Sequence, residues 1–89
     1  MSYELVLTRN AEKKLSQLDK TTRKRIALWL AKHLQNTEEP RVHGKALKGH
    51  LTDYWRYRIG DYRIIARIED EKLIILVVEI GHRKDIYRS

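Results

Sequence analysis

Apolar residues follow two different spacings along this chain, one typical of helices and the other of strands. Residues 3–8 alternate as in a short strand. Residues 10–18 then carry apolar side chains on one helical face, with Asn10 placed to cap the helix. A second helix, capped by Asp19 or Thr21, is predicted to end near residue 35. Its apolar stripe consists of Ile26, Trp29, Leu30, His33 and Leu34.

The second half of the chain has the period of two that is typical of strands. Residues 54–59 alternate between apolar or aromatic side chains and more polar ones. The dipeptide Gly60-Asp61 is a two-residue turn signal, and residues 62–68 alternate again after it. These segments predict a tight β-hairpin.

The last strand is predicted at residues 73–80, after a second tight turn at Asp70-Glu71. Its nearly continuous apolar character is typical of an inner strand, and the first strand is its expected neighbour on the free side. The predicted fold is α+β in the order β-α-α-β-β-β, a two-helix hairpin packed on a four-stranded, mostly antiparallel sheet. With 89 residues, we expect a single domain over 1–89.

Composition narrows the class of protein further. The chain has no cysteine, and its four histidines lack metal-ligand spacing, so we expect neither a metal nor a cofactor. No apolar run approaches the roughly 20 residues that span a bilayer, which favours a cytoplasmic protein without membrane contact. The net charge of +7 favours a polyanionic partner such as nucleic acid.

The positive charge is concentrated on the predicted hairpin. A two-residue turn places Arg58 directly opposite Arg63, with Arg56 two residues along on the same face. Three guanidinium groups should therefore converge on the sheet face away from the helices. Like charges opposite one another destabilise a sheet, so such a cluster indicates an anion-binding surface.

The end of the chain should extend this cluster. Because the end of the last strand lies beside the start of the preceding one, Arg83 and either His82 or Tyr87 should reach Arg58 and Arg63. Arginine suits phosphate, and tyrosine suits stacking on an unpaired base. Tyr87 could also simply anchor the chain end by packing. Further RNA contacts are predicted at Lys45, Lys48 and Tyr54, although Tyr54 fits a packing role better than base stacking.

The available side chains suit one reaction in particular. The sequence contains no Ser-His-Asp arrangement, phosphate-binding glycine loop or paired-carboxylate site. Basic groups, a phenol and an imidazole can instead assist the cleavage of RNA by its own 2′-hydroxyl, since the substrate supplies the nucleophile. Positive charge would stabilise the developing phosphorane, and no metal is required.

Two motifs carry a resemblance to a known family. Residues 54–63 (YWRYRIGDYR) and 81–88 (GHRKDIYR), with residues 45–49 (KALKG) and the order of elements, resemble the RelE toxins of the RelE/ParE superfamily over essentially the whole chain. The resemblance implies the toxin of a type II toxin–antitoxin system. Such a toxin enters the ribosomal A site, cuts the mRNA codon there by 2′-hydroxyl attack and inhibits translation. It also implies a RelB-like antitoxin as partner, and a complex that binds operator DNA through the antitoxin.

The resemblance also implies roles for single residues. Arg63 and Arg83 would bind the scissile phosphate, and Tyr87 would orient the 2′-hydroxyl or stack on a base. Arg56 and Arg58 would serve in proton transfer and charge stabilisation. The best-studied pattern has lysines at these two positions, and arginine stays charged where lysine can lose a proton, so the general base is open here. His82 is our hypothesis for proton transfer near neutral pH.

Two other functions fit the same scaffold. A ParE-like inhibitor of DNA gyrase would block a protein and cut no RNA, and such members generally lack the full basic set together with Tyr87. A non-catalytic RNA-binding module would need the arginines without a positioned acid or base. Tyr87→Phe separates this module from the nuclease, because only a nuclease should lose more cutting than binding.

Overall fold

The fold is seen in a computed structural model that describes residues 1–47 and 54–82. Three predicted site residues, Lys48, Arg83 and Tyr87, lie outside the described residues. The elements in chain order are β1 (Glu4–Leu7), α1 (Arg9–Ser16), α2 (Lys20–His33), β2 (Lys45–Ala46), β3 (Trp55–Ile59), β4 (Tyr62–Glu69) and β5 (Ile74–His82). They form one sheet in the order β1-β5-β4-β3-β2, parallel between β1 and β5 and antiparallel elsewhere. The α+β prediction is confirmed.

The sheet has five strands where the sequence predicted four. The additional strand β2 pairs Lys45 with Arg56 and Ala46 with Trp55. Gly44, at φ +83°, turns the chain against β3, where a side chain would collide with the carbonyl of Arg56. A two-residue strand is too short to show an alternating pattern, which is why periodicity did not predict it.

Strand β5 lies inside the sheet, as its continuous apolar character predicted, and β1 forms the edge beyond it. That edge is covered by the segment that follows α2. The Tyr3 amide donates to the Thr37 carbonyl at 2.7 Å, and the Asn36 amide donates to the Tyr3 carbonyl at 3.0 Å. The Leu5 amide donates to the Gln35 side chain at 3.1 Å. These bonds occupy backbone groups that could otherwise pair with another chain.

The start of α1 differs from the prediction. Thr8 caps the helix, accepting from the Ala11 amide at 3.1 Å, whereas Asn10 was expected to be the cap. Asn10 instead donates to the Val78 carbonyl at 2.8 Å. Val78 lies at an irregularity in β5, because Ile65 pairs with Glu79 and Ala66 pairs with Val77. The bulge leaves this carbonyl available to hold the beginning of α1.

Helix α2 supplies most of the helical contribution to the core. Asp19 caps it, one of the two predicted caps, and Ile26, Leu30 and Leu34 are buried as the stripe predicted. The helix ends at His33, two residues before the predicted end. From the sheet, the side chains that are fully buried against it include Tyr57, Ile64, Ala66, Ile75, Val77 and Ile80. These residues mark the helix-facing side of the sheet.

The turn between β4 and β5 is longer than predicted. It occupies residues 70–73 rather than two residues, and Leu73 adopts a left-handed conformation with φ +55°. Asp70 in this turn accepts two bonds of 2.9 Å from Arg41 and one of 2.7 Å from Tyr3. Because both partners donate to the ionised carboxylate, they lower the pKa of Asp70.

The segment 40–43 between α2 and β2 is held by aromatic side chains of β3. Tyr57 is buried and donates its hydroxyl to the Pro40 carbonyl at 2.6 Å. The indole of Trp55 donates to the His43 carbonyl at 2.6 Å. Burial raises the pKa of Tyr57, so its hydroxyl keeps the proton that it donates. The segment therefore has a fixed position on the sheet.

We expect Tyr57→Phe to lower the free energy of unfolding by about 1 kcal/mol, because a buried carbonyl loses its donor. Urea denaturation measures this loss. Tyr54→Phe is the matched control, since Tyr54 is half-buried and its hydroxyl makes no hydrogen bond within residues 1–47 and 54–82. Equal losses in the two variants would contradict a specific role for the Pro40 contact.

Candidate functional site

Three arginines share one face of the β3–β4 hairpin, as predicted. Arg58 pairs directly with Arg63, and Ile59 pairs with Tyr62, so the register of the hairpin is confirmed. Side chains alternate along a strand, so Arg56 and Arg58 lie opposite the face that buries Tyr57. The cluster formed by Arg56, Arg58 and Arg63 is called the arginine face below.

The three guanidinium groups differ in exposure. Arg58 is exposed, Arg56 is half-buried, and Arg63 is only 3% exposed. Arg63 lies in the middle of the sheet, between Arg58 on β3 and Gly81 on β5. The exposed Arg58 can change its conformation around a ligand, whereas the buried Arg63 is a fixed charge.

Two predicted RNA-contact residues flank the arginine face. Lys45 is exposed and lies directly opposite Arg56, so its side chain shares that face of the sheet. Tyr54 is half-buried and immediately precedes β3. Together with the arginines, Lys45 places four cationic side chains on one face, at the β2–β3–β4 side of the sheet.

The sequence predicted that either His82 or Tyr87 would reach Arg58 and Arg63, and the structure places His82 on the other side of the sheet. Strand β5 continues through His82, which pairs with Tyr62, while Gly81 pairs with Arg63. Because neighbouring residues alternate, the imidazole lies on the helix-facing side of the sheet, edge-on to the Tyr62 ring at 5.5 Å. The sequence pattern ended this strand at residue 80, and so it did not apply the alternation to His82.

The ring of His82 lines a cavity of about 190 Å³ between α2 and the hairpin turn. Arg25 of α2 reaches this turn, and a side chain at Gly60, which has φ +60°, would lie 3.0 Å from its guanidinium. Asp61 also lines the cavity. The approach of the Arg25 guanidinium explains why a glycine suits this turn. The His82 ring lies on the helix-facing side, so the sheet separates it from the arginine face.

A second cavity, of about 420 Å³, lies at the edge of the sheet where β2 begins. We call it the edge notch. Its principal lining residues are Trp29, Val42, His43, Lys45, Arg56 and Arg58. Sequence reasoning assigned Trp29 to the core and found no function for His43. The one signal in the sequence was an aliphatic residue, Val42, in a polar loop, and Val42 is 64% exposed.

Aromatic rings of α2 and the 40–43 segment form one side of the edge notch. The rings of Trp29 and His43 are 5.7 Å apart, and those of His33 and His43 are 4.8 Å apart. Burial, the nearby His43 and the positive charge of Lys32 lower the pKa of His33. A neutral His33 therefore packs against Trp29 at 4.7 Å near neutral pH.

Within the described ranges, no three histidine or carboxylate side chains lie close enough together to hold a metal ion. In the same part of the chain, no helix combines the length and the apolar character needed to cross a membrane.

Comparisons with known proteins agree with this description. A family model described as the ParE toxin of the type II toxin-antitoxin system parDE matches residues 5–87. Toxin RelG of Mycobacterium tuberculosis is 38% identical over 52 residues, which are 58% of this chain and 60% of RelG. The mRNA interferase toxin RelE of Escherichia coli is 28% identical over 94% of this chain and 86% of its own length.

The fold comparison gives the same class. A chain of the toxin-antitoxin complex RelBE2 of Mycobacterium tuberculosis superposes with a TM-score of 0.79 at 26% identity, over 93% of this chain and 100% of that chain. Fold and sequence thus define a type II toxin. The chain belongs to the ParE toxin family of type II toxin–antitoxin systems, and within that superfamily it is RelE-like.

The aromatic side of the edge notch gives a pH prediction. Because the pKa of His33 is lowered from its usual 6.5, the folded protein takes up a proton there less readily than the unfolded chain does. The associated stability is fully present above about pH 6.5 and is lost as the pH falls through the lower folded-state pKa. We expect the urea midpoint of unfolding to decrease when the pH is lowered from about 7 to about 5. The decrease should be smaller in His33→Phe. Parallel declines in the two proteins would contradict this assignment.

Proposed function

We propose that this protein is a ribosome-dependent mRNA endonuclease that cuts the codon in the A site and so inhibits translation. The observation that carries the proposal is the direct pairing of Arg58 with Arg63, with Arg56 on the same face. With Lys45, these arginines make one face of a small sheet strongly positive, which suits an anionic ligand. The name of the similar E. coli protein, mRNA interferase toxin RelE, supports RNA as that anion.

The proposed reaction is transesterification within the RNA. The 2′-oxygen attacks the adjacent phosphorus, and the bond from phosphorus to the 5′-oxygen breaks. The 2′-hydroxyl loses its proton to a base, and the leaving 5′-oxygen gains one. The products are a 2′,3′-cyclic phosphate and a 5′-hydroxyl, and no metal ion is needed because the substrate supplies its own nucleophile.

The arginines have distinct parts in this proposal. Arg63 is buried, so it would act on the scissile phosphate as a fixed charge held between strands on both sides, rather than by direct contact in this conformation. The exposed Arg58 would neutralise charge as the phosphorane forms. By the family resemblance, Arg83 joins Arg63 at the phosphate, and Tyr87 orients the 2′-hydroxyl or stacks on a base.

Proton transfer is the part that the described residues supply least well. Arg56 and Arg58 stay charged at neutral pH, so they are poor general bases. The His82 ring lies on the opposite side of the sheet from them. We therefore propose that catalysis depends mainly on charge stabilisation and on orientation of the strand by the ribosome. His82→Gln tests the remaining hypothesis: unchanged cutting would exclude His82 as the proton-transfer group.

We also propose a RelB-like antitoxin as the partner that holds the toxin inactive. Similar folds occur in solved toxin–antitoxin complexes, including RelBE2. With a charge of +7, this chain suits an acidic, flexible partner that folds on binding. The complex would bind operator DNA through the antitoxin. Co-expression with the neighbouring small reading frame tests the pairing, and failure to copurify would count against it.

We expect Arg58→Ala to reduce cutting of ribosome-bound mRNA by about 10²-fold or more, because one preorganised charge is lost from the transition state. The assay maps RNA ends by primer extension on mRNA programmed into purified ribosomes. Arg67→Ala is the matched control, because Arg67, like Arg58, is an exposed arginine. It lies on β4, on the same face of the sheet but outside the cluster, and pairs with Leu76.

Two results would contradict the proposal. Equal activity of Arg58→Ala and Arg67→Ala would show that the arginine face is not the catalytic surface. Intact mRNA with the wild-type protein would exclude the nuclease function. The alternative of a gyrase inhibitor would then be tested with gyrase and supercoiled DNA. Binding to RNA without cutting would indicate the non-catalytic module.

A further inference from the structure

The edge notch joins a cationic surface to an aromatic one. Strand β2 begins at the Lys45–Arg56 pair, so within the described residues β3 beyond Arg56 has a strand partner only on its β4 side. The chain approaches β2 through Val42 and Gly44, and Trp29 of α2 lines the other side of the cavity. The resulting cavity of about 420 Å³ is within the range of roughly 300–1,000 Å³ that is typical of ligand pockets.

One side of the notch is suited to a phosphate. The lysine and two arginines that line it, Lys45, Arg56 and Arg58, all belong to β2 and β3, and all charged residues in this lining are cationic. Lys45 and Arg58 are exposed, so they can contact a ligand without first being uncovered. Arginine binds phosphate oxygens through two parallel hydrogen bonds, which favours an oriented phosphodiester over a diffuse anion.

The other side is suited to a planar, partly apolar group. Trp29 and His43 contribute rings, and the neighbouring Val42 is an exposed aliphatic side chain. His33 packs behind them, and its lowered pKa keeps this ring neutral near pH 7. Nucleobases stack favourably on such rings, largely independently of which base it is.

The notch is also preformed. Its outer wall, the segment 40–43, is held by Tyr57 at Pro40, by Trp55 at His43 and by the Asp70 carboxylate at Arg41. Gly44 has no side chain, so the backbone of the wall lies directly against Arg56. Little ordering of the wall is needed when a ligand enters, which lowers the free-energy cost of binding.

We infer that the edge notch is a subsite for one nucleotide of the RNA next to the cleaved bond, with its base against Trp29 and His43 and its phosphate on Lys45 and Arg58. This inference rests on the proposed function, because Arg56 and Arg58 line both the notch and the arginine face. A nucleotide held in the notch would fix the strand relative to the scissile phosphate. The notch would thus contribute to which codons are cut.

The experiment uses the wild-type protein and a trinucleotide with 2′-O-methyl groups throughout, which cannot be cut by 2′-hydroxyl attack. Amide and indole N–H shifts are followed by NMR during titration into the millimolar range. The inference predicts shifts of the Trp29 indole and of His43, larger than those of the amides of α1, which does not line the notch. Inorganic phosphate alone should shift Lys45 and leave the Trp29 indole almost unmoved.

Val42→Asp tests the same subsite by mutation. A carboxylate beside three cations, with loss of an apolar contact, should weaken trinucleotide binding about tenfold. Leu28→Asp is the matched control, because Leu28 is 61% exposed on α2 and does not line the notch. In the ribosome assay too, Val42→Asp should be impaired more than Leu28→Asp, so that it cuts efficiently at fewer codons.

Several outcomes would overturn the inference. The Trp29 indole could stay unmoved, or Val42→Asp and Leu28→Asp could bind the trinucleotide equally. If Val42→Asp instead lost only the co-expressed antitoxin, the notch would be a protein-docking site. Failure of the proposed function is separable from these results. If RNA shifts the NMR signals of Trp29 and His43 in the wild-type protein but ribosome-bound mRNA is not cut, the nucleotide subsite is supported and the nuclease function is rejected.

Discussion

The two-residue turn at Gly60-Asp61 sets the register on which the rest of the site depends. With Ile59 opposite Tyr62, the pairing of Arg58 with Arg63 follows, and so does the separation of the two faces of the hairpin. A shift of one residue would exchange the faces, placing the arginines in the core and Tyr57 in solvent. Because the core requires Tyr57 and Ile64 on the helix-facing side, folding itself enforces the positive cluster. Charge repulsion on one face is offset by apolar burial on the other.

Because each face of the hairpin has a different role, a chain of 89 residues can hold a preformed site. Alternate residues of β3 have different tasks: Tyr57 and Trp55 fix the segment 40–43, while Arg56 and Arg58 face the proposed RNA. The wall of the edge notch therefore belongs to the same strand as the cations beside it. A change in the core of β3 should be felt at the site, which links stability to function in this protein.

The sequence predicted those features that depend on short-range pattern. The hairpin register, the α2 stripe and the inner position of β5 all follow from spacing within a few residues. The features it missed depend on contacts between distant residues or on single backbone angles. Strand β2 forms where Gly44 turns the chain against β3. Thr8 caps α1, while Asn10, the expected cap, bonds to the distant Val78 carbonyl at a bulge. The edge notch combines α2, a loop and β3, which no local pattern relates.

The central claim is that the arginine face promotes attack of a 2′-oxygen on the neighbouring phosphate. The most direct measurement is end-group analysis of RNA cut on purified ribosomes, with one A-site nucleotide changed to its 2′-deoxy form. The account predicts products with a 2′,3′-cyclic phosphate and a 5′-hydroxyl from the unmodified codon, and no cut after the deoxynucleotide. Cutting that continues at the deoxynucleotide, or products with a 5′-phosphate, would contradict it.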